Sequence, residues 1–289
     1  MLPTFTPTAS LASLWRLLRP AAMIWLCAML TGLAMASESD DRMLATFWEK
    51  RAVCSNDYAA VIAICKKVTN SMPDSAYLPV IRGVQAWYEL TAGHAEESAA
   101  TLQGMLSAGK DPIALTANTM ACRWLTRLDR EKVRKVLNAY YAVHVAFPGS
   151  LDFLQKIPDN GRPPIVDRWD RAWQYRLVTF EKLPGLSDQR YELRSTELNT
   201  ASDFKTALAI PYGTPFSLRP MRVVSRFENQ SVVEFQAGGK PPRKDMLNEG
   251  ARSGDVLFVR LVAQSVLLSD GDRWDLVPLP SRRPGDGLP

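Results

Sequence analysis

The sequence reads MRVVSRFENQSVVEFQ over residues 221–236 and DVLFVRLVAQSVLLSDGDRWDLVPL over residues 255–279. These segments contain four apolar runs and a short fifth, each rich in Val, Phe or Leu and closed by a turn signal. The separators are Asn229-Gln230, Ala263-Gln264 and Ser269–Asp272, and the Asp-Gly pair in the last is typical of a hairpin. The pattern predicts that Met221–Leu279 forms a small antiparallel β-barrel or sandwich.

Two features refine the predicted β module. Residues from Met246 to Gly254, immediately before Val256, are predicted to be a polar link between strands. Pro278 lacks a backbone N–H group, so we expect the last strand to lie at a sheet edge. The tail over 280–289 contains mainly Pro, Arg, Gly and Asp and is predicted to be disordered.

Residues 40–147 change to helical spacing, with apolar side chains at i and i+4. Met43-Leu44 and Phe47-Trp48 mark the first predicted helix, and Asn56 is the expected cap of the second. The other predicted helices are Tyr58–Thr69, Tyr77–Leu90, Ala95–Leu106, Ile113–Leu125 and Arg130–Ala146. The short polar loops between them favour antiparallel helix hairpins.

The middle of the chain separates the two patterns. Ile165–Phe180 is predicted to be one more helix, because Trp169, Trp173 and Leu177 would form one stripe. Strands are expected at Tyr191–Leu198 and Thr206–Ile210, ahead of a turn-rich bridge over 211–215. We therefore predict an α+β fold with a helical repeat-like domain over 37–182 and an antiparallel β domain over 183–279.

Residues 1–36 are typical of an export signal. Arg16 and Arg19 precede an uncharged run from Ala21 to Leu33, and Ala34-Met35-Ala36 fits the signal-peptidase rule. The alternative is an uncleaved N-terminal anchor, although the run up to residue 36 is slightly shorter than the roughly 17–25 residues that span a bilayer. Both interpretations predict a periplasmic or extracellular protein that contacts the membrane only through an uncleaved leader.

Composition limits the class of protein. The chain has 289 residues, 46% hydrophobic and 22% charged, which is ordinary for a globular protein. Its net charge of +5 includes Arg16 and Arg19 of the leader, and the rest of the excess is small and dispersed. Nucleic-acid binding requires a concentrated basic stripe or a known fold. We therefore predict no nucleic-acid partner.

Catalytic and metal-binding motifs are missing from the sequence. The two histidines, His94 and His144, form no HExxH pair, and neither G-x-S-x-G nor a Gly-rich phosphate loop occurs. Asp167 and Asp170 resemble a glycosidase pair, but the arginines beside them favour a solvated ion-pair face. We therefore predict no catalytic, cofactor-binding or metal-binding residues, no cofactor and no enzymatic activity.

Cysteines and aromatic residues are predicted to be structural. Cys54 and Cys65 are expected to lie too far apart for a disulfide. We expect buried free thiols, and a Cys65–Cys122 disulfide is the alternative. Six aromatic residues at helical spacing are expected in the core rather than in a binding box. They are Trp48, Trp87, Tyr88, Trp124, Tyr140 and Tyr141.

The helical half resembles the tetratricopeptide repeat family. The resemblance rests on Asp57-Tyr58, Pro73, Gly83, Gly93–Ser98 and Asp129–Val133. These helix starts, breaks and small-residue positions recur about 34 to 39 residues apart, close to the family period. Val61 departs from the pattern, since a small Ala is usual there. The resemblance implies a helical stack over 40–147 whose concave face binds a partner segment, and the alternative is a bundle that only packs on its neighbour.

The C-terminal module resembles the β-domain of type II secretion inner-membrane components and of the type IV pilus-assembly lipoprotein. The matching elements are Glu249-Gly250, Val259–Val262, Val266–Leu268, Asp270–Asp272 and Leu276–Leu279. Pro278 departs from a smooth closing strand. The resemblance implies a module that binds other periplasmic components and catalyses nothing.

These observations favour an exported, non-enzymatic scaffold of the cell envelope that binds a protein partner, and the resemblance of its C-terminal module implies an accessory of secretion or pilus assembly. One alternative is an extracytoplasmic hydrolase with an unrecognised site, which requires His94, Asp167, Asp170 or Glu249 to converge in one pocket. A second alternative is a carrier of a small apolar ligand, which requires an enclosed cavity lined by tryptophans.

Overall fold

The computed structural model describes residues 38–106, 109–183, 186–198, 203–227, 230–238 and 241–280. The predicted leader over 1–36 lies outside these residues, as does the predicted tail beyond residue 280. Within the described chain, helices occupy the N-terminal half and small antiparallel sheets follow. This order confirms the α+β fold class.

The N-terminal half of the described chain is helical. Its helices are α1 (38–53), α2 (Tyr58–Ser71), α3 (Leu78–Thr91), α4 (Ala95–Gln103) and α5 (Pro112–His144). The cap of α2 is Asp57, whose carboxylate accepts a hydrogen bond from the backbone of the first turn, rather than the predicted Asn56. Asp111 caps α5 in the same way, and Pro112 takes the first helical position, where its missing N–H group costs nothing.

The prediction of two helices over Ile113–Leu125 and Arg130–Ala146 is wrong, because α5 continues through the region between them. That region contains no Gly or Pro to stop a helix, and its charged residues Arg127 and Asp129 are buried in ion pairs. Asp129 is 1% exposed and contacts Arg168 at 2.6 Å and Lys132 at 3.1 Å. Polarity at this point therefore marks contacts with other elements rather than a loop.

The helix predicted over Ile165–Phe180 is also wrong, because a loop is followed by strand β1 (Gln174–Leu183). Asp167 accepts hydrogen bonds from two backbone N–H groups of the loop and from the hydroxyl of Ser195, which fold the chain into a turn. Asp170 then adopts a φ of 58°, a left-handed conformation that an α-helix does not continue.

β1 pairs with β2 (Leu186–Arg194) as an antiparallel hairpin. The strand predicted over Tyr191–Leu198 therefore overlaps β2 only in part. The strand predicted over Thr206–Ile210 is wrong, because Asp203 caps a short helix, α6 (Phe204–Leu208), at that place. The predicted domain boundary after residue 182 falls within β1, one residue before the end of that strand, and β1 pairs with β2.

The other described strands are β3 (Leu218–Phe227), β4 (Gln230–Ala237), β5 (Arg243–Asn248), β6 (Arg252–Ser253), β7 (Val256–Val262), β8 (Ser265–Ser269) and β9 (Trp274–Pro278). They form two antiparallel sheets, in the orders β3-β4-β5 and β6-β7-β8-β9. The described strands do not close into a barrel. β9 lies at a sheet edge, which confirms the expectation drawn from Pro278.

Strand β5 replaces the first part of the predicted polar link. Arg243, Lys244 and Met246 are exposed, whereas Leu247 is buried. Because only one of these side chains is both apolar and buried, the sequence of β5 lacks the apolar alternation that predicts a strand. The neighbouring β4 supplies the apolar surface through Val233, which pairs with Leu247 and is fully buried.

Two buried clusters organise the β module and its junction with the helices. One lies between the two sheets and contains Phe216, Leu218, Val233, Phe235, Leu247, Val256, Phe258, Leu261, Val266 and Leu268. The other joins the helices to β7, β8 and β9 through Val259, Val262, Leu267, Trp274 and Leu276. The apolar face of the helical stack is therefore covered by the β module.

Tyr212 fastens the segment after α6 to the helices. Its ring centroid lies 5.3 Å from that of Trp87 and 6.3 Å from that of Trp48. Its hydroxyl accepts a hydrogen bond from Trp274 N at 3.0 Å. Arg51, which is 5% exposed, lies over the Trp48 ring at 4.7 Å. These aromatic contacts fill the space between α1, α3 and the β module with the chain's own side chains.

A carboxylate in the β8–β9 turn holds α5 against the β module. Asp272 accepts hydrogen bonds from Arg123 Nε at 2.7 Å and from Arg127 Nη1 at 2.8 Å. Its carbonyl oxygen accepts a further one from Trp124 Nε1 at 2.9 Å. Gly271 has a φ of 85°, and it brings the turn close to the Arg123 side chain.

Replacing Gly83 with alanine is expected to destabilise the junction. A Cβ atom at this position would lie 2.6 Å from Trp274 Nε1 and 3.0 Å from Met120 Sδ. Overpacking of this kind costs about 1–3 kcal/mol of unfolding free energy. Urea denaturation measures the effect. Gly104→Ala is the control, because its Cβ would meet nothing closer than 3.4 Å, and we expect a change within about 0.5 kcal/mol. Equal effects of the two variants would contradict the close packing.

Asp272→Asn is expected to lower the unfolding free energy by about 3–5 kcal/mol near neutral pH, because it leaves the fully buried Arg127 without its carboxylate. Asp159→Asn is the control, since Asp159 is 91% exposed in its pair with Arg162 and such a pair contributes about 0–1 kcal/mol. Urea denaturation of both variants gives the comparison.

The same substitution has a predicted pH dependence. Burial opposes ionisation of Asp272, but hydrogen bonds and charges from Arg123 and Arg127 outweigh it and hold the pKa of Asp272 below its ordinary value. The stabilisation is therefore complete above the unfolded-state pKa of about 3.9 and is lost as the pH falls through the folded-state pKa. The difference between wild type and Asp272→Asn should shrink in acid, and a constant difference down to about pH 2 would contradict this origin.

Candidate functional site

The hairpin β1–β2 belongs to a lobe that has its own small core. This hairpin lobe consists of residues 133–144 of α5, the 3-10 helix Leu151–Lys156, Trp173 and the two strands. Its buried residues are Val133, Leu137, Leu154, Trp173 and Leu193. Tyr175 Oη donates to the carbonyl oxygen of Pro148 at 2.6 Å, and Phe147 N donates to Gln189 Oε1 at 3.1 Å. These bonds attach the hairpin to the chain that follows α5.

The alternation of the hairpin explains this packing. Tyr175 pairs with Leu193 and Leu177 pairs with Tyr191, so these side chains share the face that turns toward α5. Arg176, Val178 and Phe180 point to the opposite face, with Glu192 and Arg190 beside them. The hairpin therefore has one half-buried apolar face and one charged outer face.

A groove of about 560 Å³ runs between α5 and β2. One wall is β2 from Gln189 to Arg194, and the other carries Arg130, Arg134 and Asn138 of α5. The spacing of four residues places those three side chains on one face of the helix. Phe147, Leu198 and Asp203 complete the lining. We call this surface the α5–β2 groove.

The strand wall of the groove is an edge rather than a face. Six consecutive residues of β2 line it, whereas a strand face would contribute only every second residue. Among the described residues, β2 forms a two-stranded sheet with β1 alone. The outer backbone N–H and C=O groups of β2 therefore face the groove, and such an edge can pair with another strand.

Positive charge predominates in the α5–β2 groove. Four arginines contribute to its lining, against the carboxylates of Glu192 and Asp203. The Asp203 carboxylate caps α6, and hydrogen bonds from the backbone and hydroxyl of Thr206 hold its pKa below the ordinary value. Burial lowers the pKa of Arg130; Glu131 opposes this shift, and the charges of neighbouring arginines add to it.

The exposed arginines of the groove differ in their partners. Arg194 pairs with Glu192 at 3.2 Å, and the same carboxylate also contacts Arg176 at 3.0 Å on the outer face. Arg190 lies over the Phe180 ring at 5.6 Å. Arg134 pairs with Glu131 of the same helix at 3.1 Å. The carboxylate of Glu192 therefore pairs with two guanidinium groups at the rim of the groove.

A second cleft, of about 660 Å³, lies where the helices meet the β module. Tyr77 Oη donates to Asp41 Oδ1 at 2.6 Å, and Ala263 N donates to Asp41 Oδ2 at 2.9 Å. Arg260 contacts Asp111 at 2.5 Å across the same cleft. Burial, followed by the hydrogen bond and charge of Asp41, raises the pKa of Tyr77. The polar groups of this cleft bind each other across the junction, so the cleft belongs to the contact between the helices and the β module.

The four residues proposed for a hydrolase do not meet in one pocket. His94 lies 3.6 Å from Glu97 on α4, and Glu249 lines the junction cleft. The interpretation of Asp167 as part of a solvated face is wrong, because it is 2% exposed and bonded within its loop. Asp170 lies in that same loop. The described residues contain no group of three or more His, Cys, Asp or Glu side chains that could hold a metal ion.

Most of the aromatic residues and thiols lie in the core. Trp48, Trp87, Tyr88 and Trp124 are buried, which confirms the core prediction for them, while Tyr140 and Tyr141 are half-buried. Cys54, Cys65 and Cys122 are free, so no Cys65–Cys122 disulfide forms here. Burial is the main cause that raises the pKa of Cys65 to about 12, so this thiol stays protonated.

The residues of the α5–β2 groove were not identified from the sequence, although two signals existed. Arg130, Arg134 and Asn138 recur every four residues within one predicted helix. Arg190, Glu192 and Arg194 alternate with Tyr191 and Leu193 at strand spacing. Neither signal shows that the two rows face each other, because their proximity depends on how the hairpin packs on α5.

No protein-family model matches the chain, and neither does any curated protein or solved structure. Across the described residues, no helix combines the length and the apolar character needed to cross a membrane.

Proposed function

We propose that this chain is an exported, non-enzymatic scaffold of the cell envelope that binds another protein through its hairpin lobe. The observation that carries the proposal is the edge of β2, which lines an open groove opposite α5. Strand edges are common sites of protein recognition, because their backbone groups pair with an added strand. A role as an accessory of secretion or pilus assembly follows from the resemblance of the C-terminal module and is part of the same proposal.

The edges of β3, β5 and β9 are less suited to pairing. β3 contains Pro220 and two register shifts, and both features interrupt an edge. β9 ends in Pro278. The start of β5 is linked to β6, because Asp245 is bonded to Ser253 and Arg243. The edge of β2 is free of these features over the residues that line the groove.

The junction supports a scaffold role for the rest of the chain. Buried residues of α3 and α5 share one apolar cluster with residues of β7, β8 and β9. Asp272 adds a charged clamp between α5 and the β8–β9 turn. Because α5 continues from this contact into the hairpin lobe, the packing of α5 on the β module also holds the helical wall of the groove in place.

A photo-crosslinking residue at Asn138 of the full-length chain is expected to capture a protein partner in cells, because Asn138 is exposed and lines the groove. The substitution leaves every arginine of the groove in place. Val143 is the matched control, since it is 75% exposed on the same helix but lies about 140° around the axis from Asn138. Electrophoresis and mass spectrometry of the adducts give the result. Absence of adducts at Asn138, or equal adducts at both sites, would contradict binding through this surface.

Export of the chain is tested separately from partner binding. N-terminal sequencing of the mature protein, together with fractionation of the cells, should give a chain that begins after Ala36 in an extracytoplasmic fraction. A chain that retains its leader in the membrane fraction would instead support the anchor, and a cytoplasmic full-length chain would contradict export.

A further inference from the structure

We propose that the α5–β2 groove binds an extended acidic segment of a partner protein, which adds to β2 as a third strand. The proposal rests on the function proposed above and names the chemistry of its partner. It follows from the shape of the groove, from the backbone groups on its strand wall and from the balance of its charges.

The shape of the groove suits one extended strand. Its strand wall is six residues long, which corresponds to about 20 Å of β-strand. The helical wall carries Arg130, Arg134 and Asn138 over nine residues of α5, a rise of about 12 Å. A strand edge beside a helix leaves space for a peptide that pairs with the strand and contacts the helix.

The backbone groups favour a peptide over other extended ligands. A strand edge presents N–H donors and C=O acceptors in alternation. Another peptide backbone satisfies both kinds of group, whereas a phosphodiester chain offers only acceptors and leaves the edge carbonyl groups unpaired. Nucleic acid is therefore a poorer match to the edge, although it matches the charge.

The side chains predict the pattern of the bound segment. Tyr191 and Leu193 turn toward α5 and form an apolar floor, while Arg190 and Arg194 lie on the outer face of β2. A strand added beside β2 has side chains that alternate in the same way. We therefore expect acidic residues at alternate positions opposite the two arginines, and apolar residues between them.

The charges supply the preference for acidic residues. Glu192 is shared between Arg176 and Arg194, so this carboxylate does not neutralise both. Arg190 contacts the face of an aromatic ring, which leaves its guanidinium edge accessible to a carboxylate. Guanidinium groups bind carboxylates through paired hydrogen bonds, and such bonds are stronger than neutral ones.

The experiment measures binding of a fluorescein-labelled peptide of four Glu-Val repeats to the full-length chain by fluorescence anisotropy. We expect saturable binding that is at least about tenfold tighter than binding of the matched peptide of four Lys-Val repeats. Arg194→Glu should weaken binding of the Glu-Val peptide by about tenfold or more. Arg176→Glu is the matched control, because it removes the same contact with Glu192 outside the groove, and we expect less than about a twofold change.

Two further probes separate strand addition from simple attraction of charge. The Glu-Val peptide with alternate backbone nitrogens methylated keeps its charge but loses donors, so its binding should fall by about tenfold. A single-stranded DNA of equal charge should bind more weakly than the unmodified peptide. Equal binding of the DNA, or full binding of the methylated peptide, would overturn the proposal, as would equal effects of Arg194→Glu and Arg176→Glu.

The outcomes also distinguish this proposal from the proposed function. Suppose that adducts at Asn138 persist in Arg194→Glu and that the chain shows no preference for the acidic peptide. This result would support protein binding through the groove and would overturn the proposal that the bound segment is acidic. Adducts at Asn138 that disappear in Arg194→Glu and remain in Arg176→Glu would support both. Circular dichroism of each variant verifies that the fold is retained.

Discussion

The ion cluster around Asp272 decides how the two halves of the molecule meet. Arg127 is fully buried, and removing its charge from water costs several kcal/mol unless a carboxylate lies beside it. Asp272 meets this condition only when the β8–β9 turn lies against the middle of α5, with Arg123 on its other side. The contacts of Asp272 with Arg123 and Arg127 form only in this arrangement of the β module, so the cluster specifies the arrangement more than it adds net stability.

The parts of the fold that were predictable carry their own local signals. β3, β4, β7, β8 and β9 are β-branched or aromatic runs between turn residues, and most helices have regular apolar spacing. The secondary-structure predictions were wrong where polar residues contact partners that are distant in the sequence. Asp129 within α5 contacts Arg168, and Asp167 folds its loop through Ser195. Strand β5 depends on the apolar surface of β4. A local pattern contains no information about these partners.

The candidate site was less predictable than the fold for the same reason. Its two walls come from residues 130–138 and 189–194, which are separated by a loop and a strand that the sequence indicated as a helix. The strand edge exists because β1 pairs with β2 on one side only, within the described chain. An open edge is a property of topology, and no residue type or spacing specifies it.

The way in which arginines are matched with carboxylates distinguishes the joints of this protein from its open groove. At the junction, Asp111 meets Arg260, and Asp272 meets two guanidinium groups in a buried setting. Glu234 similarly lies between Arg222 and Lys244, and these partners hold its pKa below the ordinary value. Each of these carboxylates is committed to contacts within the chain. The α5–β2 groove has more arginines than carboxylates in its lining, and one of its two carboxylates caps a helix. Within the part of the chain that the structure describes, no strand other than β1 pairs with β2. Charge excess and an open edge on the same surface are satisfied together by a ligand that has both carboxylates and a peptide backbone.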